Sequence, residues 1–165
     1  MENENITPRI GLARNIARKL LKDSGISYPP VLLNELLPWI RKNQPVQVVG
    51  WNFGDNVSGI QLTEGDRSVI GYNVNQHQNR QRFTVAHEIG HLMMGHTSNN
   101  NSDPIEDTKN PYEIEAFAFA AELLIPLESI KHDYSPGVMP KSLAFKYRVS
   151  EEAMWKRLMD CHLIR

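Results

Sequence analysis

The segment His87-Glu88-Ile89-Gly90-His91 constrains this chain more than any other, because it places two histidines and a glutamate within one helical turn of an apolar run. Residues four apart share a helix face with Cβ atoms about 5–6 Å apart, so both imidazoles can hold one ion. Glu88 is turned about 100° around the axis from His87, so it can reach a water beside the ion rather than the ion itself. That is the position a general base needs. Two histidines serving no metal are the bland alternative for the pentapeptide alone. The flanks weigh against it: Phe83, Val85, Ala86, Ile89, Leu92, Met93 and Met94 are too apolar for a solvated helix. The polar trio is therefore partly buried and needs partners, one of which a metal supplies.

The rest of the composition narrows the choice of ligands and setting. A chain of 165 residues that is 41% hydrophobic can bury one ordinary core, so a single domain over 1–165 is expected, with a helical pair at about 140–165 packed on it. A formal charge of −1 creates no field that would draw in nucleic acid or an anionic membrane. Met1 to Thr7 is acidic and polar, and the longest apolar stretch, Val31 to Ile40, contains Asn34, Glu35 and Pro38, so neither export nor a membrane span is expected. Cys161 is the sole cysteine, which rules out an intrachain disulfide, points to a reducing cytoplasmic setting, and leaves histidines and carboxylates as metal ligands.

Periodicity places the motif. Thr7-Pro8 reads as a helix start, followed by Ile10, Ala13, Ile16, Ala17, Leu20 and Leu21 at helical spacing up to Gly25. A second short helix runs through Leu32, Leu36 and Ile40. Val- and Ile-rich runs separated by Gly54-Asp55-Asn56 and Glu64-Gly65-Asp66 then predict three antiparallel strands, roughly Val46 to Phe53, Val57 to Leu62 and Arg67 to Val74. Asn79 is placed to cap the motif helix, which stops at Gly95. Thr97 to Pro111 is almost wholly polar and reads as a surface loop. Tyr112 to Ile125 is apolar on nearly every face, which predicts a buried helix ended by Pro126. Two short helices meeting near Val149-Ser150 close the chain. The fold class is therefore α+β.

A catalytic zinc takes three protein ligands and leaves one place open. The buried helix offers Glu113, Glu115 and Glu122. Glu113 stands near the helix start, whereas Glu115 and Glu122 share an apolar stripe where an ionised carboxylate needs a cation, so Glu115 is the expected third ligand. Glu122 is a candidate for orienting a ligand histidine, with an ion pair as the equal alternative.

Arg82-Phe83-Thr84-Val85-Ala86-His87-Glu88-Ile89-Gly90-His91 followed by Glu115-Ala116-Phe117-Ala118-Phe119-Ala120-Ala121-Glu122-Leu123-Leu124-Ile125-Pro126 resembles the ImmA/IrrE family of metallo-endopeptidases. The resemblance implies a small gluzincin-like fold, one zinc per chain held by His87, His91 and Glu115, Glu88 as base, and cleavage of a helix-turn-helix repressor encoded nearby. One position departs from the pattern: Phe117 stands where the family usually has Asn or Asp, so a polar contact there is missing or comes from elsewhere. The strand Arg67 to Val74 is the expected docking edge for an extended partner segment.

Other residues carry weaker signals. Tyr72, His77, His96, Tyr112, His132 and Tyr134 are all candidate oxyanion donors, and the sequence does not choose among them. For His96 a role at the helix end is preferred to zinc binding, and for Arg82 an ion pair is preferred to a substrate contact. Lys141, Lys146, Arg148, Lys156 and Arg157 give the C-terminal pair a basic character that raises a DNA-binding regulator as an alternative, diluted by Glu151, Glu152 and Asp160. A catalytically silent, zinc-containing interaction module is the third reading.

Overall fold

A computed structural model describes residues 6–96 and 109–165. Its elements run α1 (Ile10–Ser24), α2 (Leu33–Arg41), β1 (Val46–Trp51), β2 (Gly59–Glu64), β3 (Arg67–Asn73), α3 (Gln78–Met93), α4 (Pro111–Leu124), α5 (Leu127–Asp133), α6 (Pro140–Tyr147) and α7 (Glu151–Asp160). The architecture is α+β, as the sequence patterns predict. Among the described residues no helix is long and apolar enough to cross a membrane.

The core is helical. In α1 the buried Ala13, Ala17, Leu20 and Leu21 face α4, and Gly25 in the left-handed region (φ +71°) ends the helix with its amide on Lys22 O. The helix begins two residues later than Thr7-Pro8 suggests, because the amide of Arg9 is held by the Glu115 carboxylate from α4 at 2.8 Å. α3 is capped by His77, whose ring accepts the Asn79 amide, while the Asn79 side chain reaches Val149 O instead. From Phe83 to Gly90 every residue of α3 is buried. α4 is capped by Asn110 with Pro111 at its first position and is buried on almost every side, which is why it lacks a polar face. The two helices meet at Gly90: a Cβ there would stand 2.9 Å from Ala116 O and 3.1 Å from Ala116 Cα. Only glycine allows that approach.

The sheet is mixed, with strand order β1-β3-β2. β2 pairs with β3 antiparallel, Gly59 opposite Tyr72, but β1 pairs with β3 in parallel, Val46 opposite Ser68. The expectation of three antiparallel strands is therefore corrected for one pairing. Residues 52–58 carry the chain across the end of β3, and buried Asn73 fixes that crossing by donating to the carbonyls of Gly54 and Val57. As a result β3 is the central strand, paired on both sides, and the edge expected at Arg67 to Val74 belongs to β1 and β2 instead.

α5 follows Pro126 directly and was not legible as a separate helix. α6 and α7 are joined at Arg148 (φ +52°) and Ser150, whose hydroxyl accepts the Ala153 amide. Arg157 of α7 is buried against α4.

Candidate metal centre and active site

α3 presents His87 and His91 from successive turns, and α4 brings Glu113 to meet them. His87 Nε2 lies 2.8 Å from Glu113 Oε2, His91 Nε2 lies 3.0 Å from Glu113 Oε1, and the two Nε2 atoms are 3.2 Å apart. Ligand atoms each about 2.0–2.1 Å from an ion and tetrahedrally disposed stand roughly 3.3 Å apart, so the three side chains fit one ion. They are also the one such group of histidine, cysteine or carboxylate side chains among the described residues. Two ring nitrogens at 3.2 Å from one another, both aimed at one carboxylate, are the donor set a divalent cation takes.

The electrostatics suit that use. Burial pushes the His87 imidazole below its ordinary pKa and keeps it neutral, as a metal ligand must be. Burial alone would raise the Glu113 carboxyl, but hydrogen bonds from His87 and His91 outweigh it and hold the group at about 2. Glu88 points elsewhere, towards the start of β2, where a Cβ added to Gly59 would collide with Thr84 and come within 3.6 Å of Glu88 Cγ. Burial raises the Glu88 carboxyl to about 7, within the range in which one group can both take and return a proton near neutrality.

The structure brings His87 and His91 together, with Glu88 turned away from them towards β2, and it does not bring Glu115 to them. Glu115 lies two residues from Glu113, roughly 200° around α4, and faces α1. Its carboxylate accepts the Arg9 amide, Arg9 Nε at 3.0 Å and Arg9 Nη2 at 2.9 Å, and lies 2.8 Å from His96 Nε2. The cation that an ionised carboxylate on that stripe needs is the Arg9 guanidinium, not a metal. The same is true of Glu122, which pairs with Arg157 and Arg18 and accepts the Leu127 amide, so it orients no ligand histidine.

Glu113 had a signal that went unread. Asn110-Pro111 is a cap followed by a proline at the first position, which sets Glu113 firmly inside the first turn rather than at a frayed end. His96 stands just past the end of α3, with its side chain 5% exposed and its Nδ1 at 2.8 Å from His91 Nδ1. Arg82 is structural, but it donates to the carbonyls of Val31, Tyr147 and Arg148 rather than to a carboxylate. Of the candidate oxyanion donors, His77 caps α3, His132 is exposed beside Asp133, and Tyr112 packs its ring on His96. Most of the segment Thr97 to Pro111 lies outside the described residues. Phe117 packs its ring against Phe83, and His87 Nδ1 is buried with no hydrogen-bond partner among the described residues.

A cavity of about 390 Å³ opens between α1, α3, α4 and α7, lined by Phe83, Ile114, Phe117 and Ala121 among others. It meets the metal cluster through Glu113 alone.

Residues 41–159 match the model of the Peptidase_M78 family, described as the IrrE N-terminal-like domain. "Uncharacterized immunity region protein 2" of Bacillus phage phi105 is 30% identical over 118 residues, covering 70% of this chain and 69% of the phage protein. A solved "Mycobacterium tuberculosis transcriptional regulator" shares the fold at TM-score 0.63 and 14% identity over 90% of this chain. This chain spans 46% of that regulator's length.

Proposed function

The chain belongs to the ImmA/IrrE family of peptidases, and on that footing we propose that it is a zinc-dependent endopeptidase that cleaves a helix-turn-helix repressor. The observation that carries this reading is the convergence of His87, His91 and Glu113 beside Glu88. In this proposal Glu113 is the third ligand and Glu115 is not. A zinc ion bound there supplies Lewis acidity, polarising the scissile carbonyl and easing deprotonation of a water. The Glu88 carboxylate takes the proton of the attacking water and returns it to the leaving amine. Burial of His87, Glu88 and Glu113 excludes bulk water and strengthens these charge interactions.

β2 is the sheet edge nearest Glu88, so an extended segment of the partner that pairs with β2 would arrive beside the base. The repressor as substrate is supported by the relative's origin in a phage immunity region. The test is to incubate zinc-loaded protein with the repressor encoded beside it and map new termini by mass spectrometry, with Glu88→Gln and a chelator as controls. Cleavage confined to the parent protein supports the proposal. A repressor that stays intact but binds tightly would make the chain a silent interaction module. Metal analysis of variants tests the ligand set: Glu113→Ala should lose the zinc, whereas Glu115→Ala at saturating zinc should still hold about one ion.

A further inference from the structure

We infer that Arg9, Glu115 and His96 form a relay that fixes the ring orientation and tautomer of His91, and so sets how tightly the metal site holds its ion. The inference rests on the reading of His87, His91 and Glu113 as ligands.

The direction of every hydrogen bond in the relay follows from the chemistry of its members. His91 turns Nε2 towards Glu113 and His87, so when that nitrogen gives its lone pair to a metal, the single proton of the neutral ring sits on Nδ1. His91 Nδ1 lies 2.8 Å from His96 Nδ1. Two ring nitrogens can share one hydrogen only if one of them accepts, so His96 accepts at Nδ1. Its own proton is then on Nε2, which lies 2.8 Å from Glu115 Oε2. A carboxylate only accepts, and the Glu115 carboxylate is held in place by the backbone amide, Nε and Nη2 of Arg9. Each donor points one way, from His91 outward and from Arg9 inward, and the Arg9–Glu115 pair is neutral overall. No group in the relay has to change its protonation state.

The two ligand histidines therefore differ. His87 has no such support, because its Nδ1 is buried without a hydrogen-bond partner among the described residues. His91 is the oriented ligand, with His96 its positioning residue. Partners that hold a ligand histidine typically change metal affinity by about 10- to 100-fold when they are removed.

The test uses the full chain and zinc itself. Zinc dissociation constants are measured by competition with a chromophoric chelator for the parent, His96→Leu and His96→Asn, with urea midpoints recorded to confirm folding. The expected result is affinity weakened about tenfold or more in His96→Leu, and within about threefold of the parent in His96→Asn, whose side-chain oxygen can take the place of Nδ1 as acceptor. Independently, long-range nitrogen–proton correlation spectra of the zinc-loaded parent should show the proton of His91 on Nδ1 and that of His96 on Nε2. Equal zinc affinity in His96→Leu and the parent overturns the relay but leaves the metal site standing. So does a His96 proton found on Nδ1, a result that holds even if the leucine variant fails to fold. A parent that binds no zinc overturns the metal site and the relay with it.

Discussion

Replacing Glu122 by leucine should destabilise the protein far more than the loss of one contact would suggest. The Arg157 guanidinium is only 2% exposed, and among the described residues it donates to Ile125 O at 2.9 Å and to the Glu122 carboxylate. Without Glu122, Arg157 keeps a buried charge that one carbonyl cannot compensate, and the Leu127 amide loses the carboxylate oxygen it donates to at 3.1 Å. Removing one partner of a buried ion pair typically costs about 3–5 kcal/mol, out of a total stability of about 5–15 kcal/mol. Arg18 adds little to this loss, because it is half-exposed and water replaces its partner. For a chain of this size the cost corresponds to a melting temperature lower by roughly 6–20 °C. Burial alone would raise the Glu122 carboxyl, but Arg157 and the hydrogen bonds hold its pKa below the ordinary value of 4.5. The stability it contributes is therefore complete above that value and is lost as pH falls through the lower, folded-state pKa. Urea unfolding of metal-free protein, followed by circular dichroism at pH 7 and pH 4, measures both effects. The double variant Glu122→Leu/Arg157→Met should recover most of the loss, because an apolar pair of similar volume replaces a buried ion pair with little penalty. A single variant within about 1 kcal/mol of the parent, or a double variant no more stable than the single, would refute the reasoning.

Two further outcomes are expected. Gly90→Ala gains about 1 kcal/mol of helix propensity but forces a methyl against Ala116 O, and overpacking of this kind costs about 1–3 kcal/mol, so net stability should fall by up to about 2 kcal/mol; a variant more stable than the parent in urea would show that α3 and α4 can separate freely. Glu88→Gln should raise the stability of chelator-treated protein at pH 8 by something on the order of 3 kcal/mol, and should have little effect at pH 4. Burial raises the folded-state pKa of Glu88 from 4.5 to about 7, so the parent loses stability as pH rises through that window and the glutamine variant does not; parallel pH profiles of the two proteins would contradict it.

The helices and the HExxH turn could be read in advance because their information is local. Ala13, Ala17, Leu20 and Leu21 repeat at helical spacing, and His87 and His91 need only one turn to meet. Strand direction could not be read so directly, since β1 and β3 are parallel because residues 52–58 cross the end of β3, a path that Asn73 of β3 braces from 16 or more residues away in sequence. The third side chain of the cluster was missed for a similar reason. Glu113, Glu115 and Glu122 all sit on an apolar helix and all need positive charge or donors, but which partner each one meets depends on α1, α3 and α7. Arg9 lies 106 residues before Glu115 along the chain, and no spacing rule links them.

The three glutamates of α4 also bear on how the chain reaches its native state. Each one is satisfied by a different neighbour: Glu113 by the histidines of α3, Glu115 by Arg9 at the head of α1, and Glu122 by Arg157 of α7 together with Arg18 of α1. A collapsed intermediate that buries α4 against only one of these helices leaves at least one carboxylate desolvated and unpaired. The hydrophobic gain from docking so apolar a helix early is thus offset until the other helices arrive. The acidic side chains select against half-assembled bundles, which favours a single cooperative transition over a series of partly formed ones.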